Sequence, residues 1–304
     1  MNLAPIVLFT YNRPDHTKKT IEALLANTLS NESELFIYSD AAKNEQVEES
    51  VQAVRSYLKT ISGFKKIEII EREKNWGLAD SIIDGITNII NKYDRIIVLE
   101  DDIVTSPHFL QFMNDALELY KDEEKVMHVS GYFFPVDPTG LPDTFFYNQT
   151  SCWGWGTWAR AWKDINPNVD FLLKQLEKIN NKNHYFKSCM SQLRANKRGD
   201  IKTWAARWQA NVLINGGFCL HPSISYVENI GHDGSGMNST NNTVLSKKSI
   251  AGQEKITITE CTITENITAI KRANNFYISL IPKWQTRVIN MLSKKLRIKK
   301  YHQS

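Results

Sequence analysis

The segment Arg95-Ile96-Ile97-Val98-Leu99-Glu100-Asp101-Asp102 decides the fold, because an apolar run ends abruptly there in three consecutive carboxylates. An unbroken run of β-branched residues and leucine is typical of a short strand that is buried on both faces. Carboxylates side by side at the end of such a strand repel one another, so a cation or hydrogen-bond donors must compensate their charge. The sequence therefore predicts a buried strand with an acidic, exposed end.

A divalent cation is the first candidate for that compensation. Mg²⁺ and Mn²⁺ favour carboxylate and water oxygens, and magnesium sites typically combine one or two protein carboxylates with substrate phosphates. Neighbouring side chains on an extended backbone point in opposite directions, so we expect Asp101 and Asp102 to divide the work between a metal and a ligand hydroxyl. The alternative is an acidic turn before a helix, with Ser106 as its N-cap and Pro107 as its first residue.

Three further apolar runs, at residues 4–10, 34–39 and 66–71, predict strands that alternate with helices at a spacing of about 30 residues. This alternation favours an α/β fold with a mostly parallel central sheet and helices on its faces. Right-handed crossovers place the carboxyl ends of the strands at one edge, where such sheets bind ligands. The residues delivered to this edge are Arg13, Asp40, Asn75 to Gly77 and Glu100 to Asp102.

The second half of the chain contains two further candidate segments. In residues 152–158 (CWGWGTW), Trp155 stands between two glycines, which would let the backbone approach a ligand while the indole face lies open to a sugar ring or a base. Packing in the core is the alternative. In residues 229–236 (NIGHDGSG), His232 and Asp233 stand among three glycines, so the imidazole could bend over a diphosphate or complete a metal shell.

Composition and missing motifs exclude several classes of protein. The 304 residues are 42% hydrophobic, enough for one large core, and the four cysteines form no Cys-x-x-Cys pair of a zinc site. The chain has neither the Gly-rich dinucleotide fingerprint nor the Gly-Lys-Ser/Thr of a P-loop. Phosphate charge must therefore be met by a metal and Arg13. We expect no nucleic-acid partner.

Two features bear on location. Met1-Asn2-Leu3 leads almost directly into the first strand, leaving no room for a secretion signal, and no apolar run approaches the roughly 18 residues of a membrane span. We therefore expect a cytoplasmic protein.

The charge of the chain is distributed unevenly. Of the 37 Lys and Arg residues, nine lie after Glu265, where no acidic residue occurs, which leaves 28 basic against 33 acidic residues before that point. This asymmetry indicates an anionic partner for the tail.

The tail itself shows a helical pattern. Pro282 suits a first helical turn, and apolar residues recur at every fourth position from Trp284 to Leu296, with Lys and Arg around them. An amphipathic helix over residues 281–300 with this composition is typical of a helix on the surface of an anionic membrane, here the inner face. Packing of the helix on the acidic body is the alternative.

Six motifs, in this order, resemble those of glycosyltransferases of the GT-A fold, in particular the N-acetylglucosaminyltransferase I-like group and bacterial family 2-like sugar transferases. They are TYNRP (10–14), YSD (38–40), NWGL (75–78), VLEDD (98–102), CWGWGTW (152–158) and NIGHDGSG (229–236). The resemblance implies a GT-A-type unit of two halves with an appended tail. We place the nucleotide-sugar-binding half at residues 1–105, the acceptor-binding half at 106–265 and a basic C-terminal extension at 266–304.

The resemblance also implies ligands. Such enzymes hold the diphosphate of a nucleotide sugar, usually a UDP-sugar, with Mn²⁺ or Mg²⁺. Asp101 would contact the ribose, and Glu100 would contact the uracil end or the donor sugar. By the same resemblance, Arg13 and Asp40 would contact the nucleotide, Asp102 would bind the metal, and His232 would lie over the diphosphate. From the residue pattern we add Trp155 to the nucleotide-sugar contacts (Arg13, Asp40, Glu100 and Asp101) and His232 to the metal contact Asp102.

An inverting enzyme of this kind needs a carboxylate that deprotonates the acceptor hydroxyl. Asp200 precedes a tryptophan-bearing helix, as the family's base does, and is the first candidate; Asp233 is the second. We expect metal-dependent, inverting transfer from a nucleotide sugar to a glycan or lipid-linked glycan, in surface polysaccharide or glycoconjugate synthesis. The alternatives are a sugar-nucleotide nucleotidyltransferase and a non-catalytic carbohydrate-binding protein.

Overall fold

The computed structural model describes residues 2–181, 183–234 and 255–280. Within this part, eight strands form one central sheet in the order β3-β2-β1-β4-β8-β6-β9-β7, and β5 pairs separately with β10. The strands are β1 (Ile6–Thr10), β2 (Glu34–Ser39), β3 (Lys66–Glu71), β4 (Arg95–Glu100), β5 (Ile103–Thr105), β6 (Val126–Ser130), β7 (Thr144–Tyr147), β8 (Trp155–Trp158), β9 (Phe218–Pro222) and β10 (Val227–Asn229).

Helices cover both faces of the sheet. On β1, Ile6 and Leu8 join one core cluster with Ile21, whereas Val7 joins a second cluster with Ile82. Alternate side chains of one strand thus enter two cores, as expected for a strand buried on both faces. The α-helices are α1 (Pro14–Leu25), α2 (Glu48–Leu58), α3 (Leu78–Tyr93), α4 (Phe109–Leu119), α5 (Ala159–Trp162), α6 (Val169–Leu176), α7 (His184–Arg198), α8 (Ala205–Ile214) and α9 (Ile267–Leu280).

The predicted strands of the first hundred residues are confirmed. β2, β3 and β4 have the predicted bounds, and β1 begins two residues later than predicted. All three neighbouring pairs among these four strands are parallel, so their carboxyl ends lie at one edge. Of the eight strands, only β8 and β7 run in the opposite direction. The described chain is therefore an α/β protein with a mostly parallel central sheet, as predicted.

The pairing of β5 with β10 positions the late glycine-rich segment. These strands are antiparallel, with Ile103 opposite Asn229. Because β5 follows the turn after β4 at once, the residues after Asn229 emerge beside Asp102. A segment about 130 residues distant in the sequence is thereby brought to the acidic end of β4.

The last described helix shares the core of the body. Ala269, Ile270 and Ala273 of α9 are buried in the same cluster as β1. The Arg272 Nη2 atom also donates to the carbonyl oxygen of Thr139 over 2.8 Å. Residues 267–280 are thus joined to the preceding body, although we had assigned them to an extension that begins at residue 266. The amphipathic helix expected over residues 281–300 lies outside the described residues.

Among the helices of the described residues, none combines the length and the apolarity needed to cross a membrane.

Candidate active site

The carboxyl ends of β1 and β4 bring one arginine against two aspartates. Arg13 follows β1 at the start of α1, and Asp101 and Asp102 form a turn after β4. The Arg13 Nη2 atom makes a close ion pair with Asp101 Oδ1 and lies 2.9 Å from Asp102 Oδ2. The hydroxyl of Thr20 on α1 donates to the Asp101 carbonyl oxygen over 2.9 Å and so fixes the turn. Three of the residues predicted for this edge therefore meet.

The two aspartates share one partner, whereas we expected them to point in opposite directions. That expectation assumed an extended backbone, but β4 ends at Glu100 and the next two residues turn. Arg13 also supplies, within the protein, positive charge that we had expected from a metal. Both expectations depended on backbone geometry beyond the end of the strand, which the sequence pattern does not specify.

Burial dominates the electrostatics of this turn. Asp101 is only 5% exposed, and burial raises its pKa against the attraction of Arg13. Burial, followed by repulsion from Asp102 and Asp101, raises the pKa of Glu100 to about 8. Burial alone would lower the pKa of Arg13, but attraction to the two aspartates outweighs it and raises that pKa. One guanidinium thus faces three carboxyl groups, and this edge favours a further cation.

The loop of residues 230–233, here called the His232 loop, covers the acidic turn. Its first amide, Ile230 N–H, donates to the Asp102 carbonyl oxygen over 2.9 Å. Gly231 lies so close that a Cβ there would overlap the Asp102 carboxylate and lie 3.0 Å from an Arg13 nitrogen. The imidazole of His232 follows, with its ring 5.3 Å from the Trp153 ring. Burial lowers the pKa of His232, although the Asp102 charge opposes this.

The donors at this point fit a divalent metal. Both ring nitrogens of His232 are buried and have no hydrogen-bond partner among the described residues, and the Asp102 carboxylate is close enough for its charge to act on that imidazole. Carboxylate and imidazole are ligands that suit Mn²⁺, and Mg²⁺ and its relatives need only one or two protein carboxylates when phosphates supply the rest. No group of three or more His, Cys, Asp or Glu side chains converges in the described part of the chain. These carboxylate and imidazole donors therefore suit a metal ion whose remaining ligands are the phosphate oxygens of a bound substrate.

Asp40, at the end of β2, organises a neighbouring turn. Its carboxylate accepts hydrogen bonds from the backbone N–H groups of Ala41 at 3.0 Å, Trp76 at 2.9 Å and Gly77 at 2.9 Å, and from Asn75 Nδ2 at 3.1 Å. Asp40 thus fixes the segment from Asn75 to Gly77 at the end of β2. A direct contact of Asp40 with a nucleotide stays a prediction.

Arg72, which the sequence did not single out, lies beside the turn held by Asp40. The Arg72 guanidinium lies 4.1 Å from the centre of the Trp76 ring and 4.8 Å from that of Tyr38, and it pairs closely with Asp84. Arg72 stands directly after β3. Its position at the carboxyl end of a parallel strand is the sequence feature that could have indicated a place near the other strand ends. Its stacking between two rings depends on the turn held by Asp40 and could not be inferred from the sequence.

The expectation of an open indole face at Trp155 is wrong. Trp155 is fully buried, and its ring stacks 5.4 Å from that of Trp204 and 5.1 Å from that of His128. The segment forms strand β8 against β4, which turns alternate side chains into the core. The partly exposed tryptophan of this motif is Trp153, which contacts the His232 ring.

The two candidate bases lie on different segments. Asp200 is 54% exposed and its Oδ2 lies 2.7 Å from Arg198 Nη2. Its segment approaches the acidic turn through Trp204, whose indole N–H donates to Glu100. Asp233 belongs to the His232 loop, and its Oδ2 lies 3.1 Å from His16 Nε2. Asp233 is therefore the direct neighbour of His232, whereas the segment of Asp200 reaches the acidic turn through Trp204.

Comparison with protein families gives one match. The profile of Glycosyl transferase family 2 matches residues 6–191, more than half of the chain. No curated protein matches the sequence.

Similar solved structures share low sequence identity. Residues 1–349 of S. aureus TarS are 13% identical, with 74% of this chain and 59% of that chain covered and a TM-score of 0.43. A mannosyltransferase from Pyrobaculum calidifontis, PcManGT, solved with GDP-Man and Mn²⁺, is 9% identical, with 71% of this chain and 72% of that chain covered and a TM-score of 0.39. The match thus spans less than two thirds of the TarS fragment.

Proposed function

The chain belongs to glycosyl transferase family 2, and from that premise we propose that it transfers a sugar from a nucleotide sugar, a UDP-sugar in our proposal, to an acceptor hydroxyl. The acceptor is a glycan or a lipid-linked glycan, and transfer is metal-dependent and inverts the anomeric centre. One observation carries the proposal: Arg13, Asp101, Asp102 and His232 meet at the edge of the sheet formed by the carboxyl ends of its parallel strands.

The residues have separate roles in donor binding. Mn²⁺ or Mg²⁺, held by Asp102 and His232, would neutralise the diphosphate and stabilise it as a leaving group. Asp101 Oδ2, which has no partner among the described residues, accepts a hydrogen bond from a ribose hydroxyl. Arg13 supplies fixed positive charge where the leaving group gains negative charge. The turn held by Asp40 positions Trp76 for the base of the nucleotide.

Inversion at the anomeric carbon requires a base on the acceptor side. The acceptor oxygen attacks that carbon as its proton passes to a carboxylate, and the bond to the diphosphate oxygen breaks. Asp200 and Asp233 are our candidates for this role, because each is a partly exposed carboxylate on a segment that reaches the acidic turn, through Trp204 and His232 respectively. We keep Asp200 as the first candidate and Asp233 as the second.

A donor assay tests the proposal. The protein is mixed with a panel of nucleotide sugars and Mn²⁺, and slow release of the nucleoside diphosphate by hydrolysis is measured with and without EDTA. We expect release with a UDP-sugar and its loss with EDTA. A carbohydrate-binding protein would release nothing, and a nucleotidyltransferase would release pyrophosphate from a nucleoside triphosphate and a sugar phosphate.

We also propose that the tail beyond residue 280 holds the enzyme reversibly on an anionic membrane, where lipid-linked acceptors lie. The sequence pattern supports this, since each Lys or Arg near such a surface contributes about 1 kcal/mol. The test is co-sedimentation with vesicles at low salt, comparing the full chain with a variant in which five basic residues become Gln. The five residues are Lys294, Lys295, Arg297, Lys299 and Lys300.

The matched control changes five exposed lysines of the body in the same way. They are Lys18, Lys19, Lys43, Lys163 and Lys174. The tail variant should bind anionic vesicles more than about 10-fold more weakly, and the control should bind like the wild type. Equal binding by the two variants would contradict the membrane role and favour packing of the tail on the body.

A further inference from the structure

A cavity of about 260 Å³ lies in the second half of the chain, between α7, α8, α9 and the ends of β7 and β9. Its wall is rich in aromatic rings. They belong to Tyr132, Phe134, Tyr147, Trp153, Tyr185 and Tyr277. Tyr277 comes from α9 and is held by a hydrogen bond of 2.5 Å from the Gln149 side chain. The last described helix therefore completes this aromatic cavity.

The aromatic cavity adjoins the candidate active site. Trp153 forms part of its wall and contacts the His232 ring on the other side. Burial, and after it the nearby Glu100 carboxyl, raises the pKa of the Cys152 thiol, which also lies in the wall. A ligand in the cavity would thus lie close to the acidic turn, with Cys152 and Trp153 between them.

The polar groups of the wall are neutral. Gln149, Gln192 and Gln209 contribute amides, and no Asp, Glu, Lys or Arg is found among the described residues that line the cavity. His221 is buried against the carbonyl oxygens of Tyr132 and Gln149, and burial lowers its pKa to about 4, so it carries no charge near pH 7.

One buried polar atom of the wall lacks a hydrogen-bond partner within the part of the chain that the structure describes. The Tyr132 hydroxyl is buried and makes no hydrogen bond with any residue in the described ranges. A buried hydroxyl without a partner costs free energy, which a hydrogen bond from a ligand would recover. Tyr132 lines the cavity, so a shift of its ring would bring this hydroxyl to a ligand bound there.

We propose that the aromatic cavity binds one uncharged pyranose ring of the acceptor and that the Tyr132 hydroxyl makes a hydrogen bond to it. This inference rests on the proposed transferase function. Aromatic faces suit the apolar face of a pyranose, and amides suit its hydroxyls. Its volume is below the roughly 300–1,000 Å³ of sites for drug-sized ligands, which favours a single ring. With no cation in the described wall, a phosphorylated or acidic sugar would enter without a counter-charge.

The test uses methyl pyranosides as probes. Neutral ones (glucose, galactose and N-acetylglucosamine forms) are compared with methyl glucuronide and methyl glucoside 6-phosphate. Binding to the full chain is measured by saturation-transfer NMR with UDP and Mn²⁺ present, and affinity for UDP is measured separately by calorimetry. We expect at least one neutral pyranoside to bind and the two charged ones to bind at least 10-fold more weakly.

Tyr132→Phe tests the role of the hydroxyl. It removes an oxygen that has no hydrogen-bond partner in the described ranges, so the fold and the affinity for UDP should be retained, while the Kd for the neutral pyranoside rises about 10-fold. Tyr57→Phe, which alters a tyrosine outside the cavity wall, is the matched control and should leave both affinities unchanged.

The outcomes separate the two proposals. An unchanged Kd in Tyr132→Phe, preferred binding of a charged pyranoside, or no binding of any neutral pyranoside would overturn the cavity assignment even if UDP binds. Absence of UDP binding and of donor hydrolysis, with the neutral pyranoside still bound and sensitive to Tyr132→Phe, would instead contradict the transferase and leave a sugar-binding cavity.

Discussion

At the scale of residues, Asp102 is where three distant parts of the chain meet. Its carboxylate pairs with Arg13, its carbonyl oxygen accepts from Ile230 N–H, and its charge acts on His232. Asp102→Asn should lower Mn²⁺ affinity and turnover by more than about 100-fold, because a charged ligand is lost. The variant should still fold, since Arg13 retains its ion pair with Asp101 and the repulsion among the neighbouring carboxylates decreases.

Calorimetry of Mn²⁺ binding in the presence of UDP, the rate of donor turnover and thermal unfolding measure these three effects. Asp115→Asn is a suitable control, because it alters a helix carboxylate whose contact is with Gln111 on the same helix. Mn²⁺-dependent turnover retained in Asp102→Asn would contradict the assignment of Asp102 as a metal ligand.

The two candidate bases can be separated by their effects on kcat and KM. If Asp200 takes the acceptor proton, Asp200→Asn should reduce kcat by about 100-fold or more and leave the KM for the donor unchanged, as expected for a group that acts in the transition state. Asp233→Asn should then have a small effect on kcat. The reverse result would assign the base to Asp233, and two unaffected variants would exclude both.

Residue types and order predicted which side chains reach the edge of the sheet, but not which of them touch. Arg13 and the acidic turn were expected there because strand ends converge. Their ion pair depends on a turn after Glu100, and the burial of Trp155 depends on the pairing of β8 with β4. Turn geometry and long-range pairing are set by tertiary packing, which local patterns do not encode.

At the scale of elements, the shortest strands position the residues of the candidate site, and they were also the hardest to predict from the sequence. β1 to β4 were predicted because each is a continuous apolar run. β5 and β10 have three residues each and no such signal, yet their pairing brings the His232 loop over Asp102. Strands this short form only because another strand supplies their hydrogen bonds. The convergence of His232 with the acidic turn therefore depends on β5 and β10.

Gly231→Ala tests this contact between elements. A Cβ at Gly231 would overlap the Asp102 carboxylate, so the His232 loop or the acidic turn must move. We expect a loss of about 1–3 kcal/mol in the free energy of unfolding, as for other overpacked sites. Mn²⁺·UDP affinity should fall by about 10-fold or more, as for other disturbed metal surroundings.

Gly140→Ala is the control for Gly231→Ala. Gly140 has a φ of 77° and open space around it, so alanine there introduces backbone strain without a clash. Urea unfolding and calorimetry of UDP binding compare the two variants. Equal UDP affinity in Gly231→Ala and wild type would show that the loop does not help to form the binding site.

At the scale of the whole molecule, two buried histidines make the fold sensitive to acid. Burial lowers the pKa of His221 to about 4 and that of His128 well below its ordinary value, with repulsion from His221 adding to the effect on His128. Both rings lie in the second half of the chain, and His128 Nδ1 accepts a hydrogen bond from the Trp208 indole over 3.1 Å. The folded protein therefore keeps these rings neutral.

In an unfolded chain, a histidine binds its proton near pH 6.5. Between that pH and about 4, the unfolded state takes up protons that the folded state does not, so the stability present above pH 6.5 is lost as the pH falls. For His221 the loss amounts to about 3 kcal/mol once the pH has reached its folded-state pKa. Glu100 acts in the opposite direction over part of this range, because its pKa is raised in the folded state.

The contribution of His221 is isolated by comparing wild type with His221→Asn, which cannot take up that proton. Urea unfolding between pH 7 and pH 4 should give a curve for the wild type that falls more steeply with decreasing pH than that of the variant. Parallel curves would show that His221 titrates normally in the folded protein.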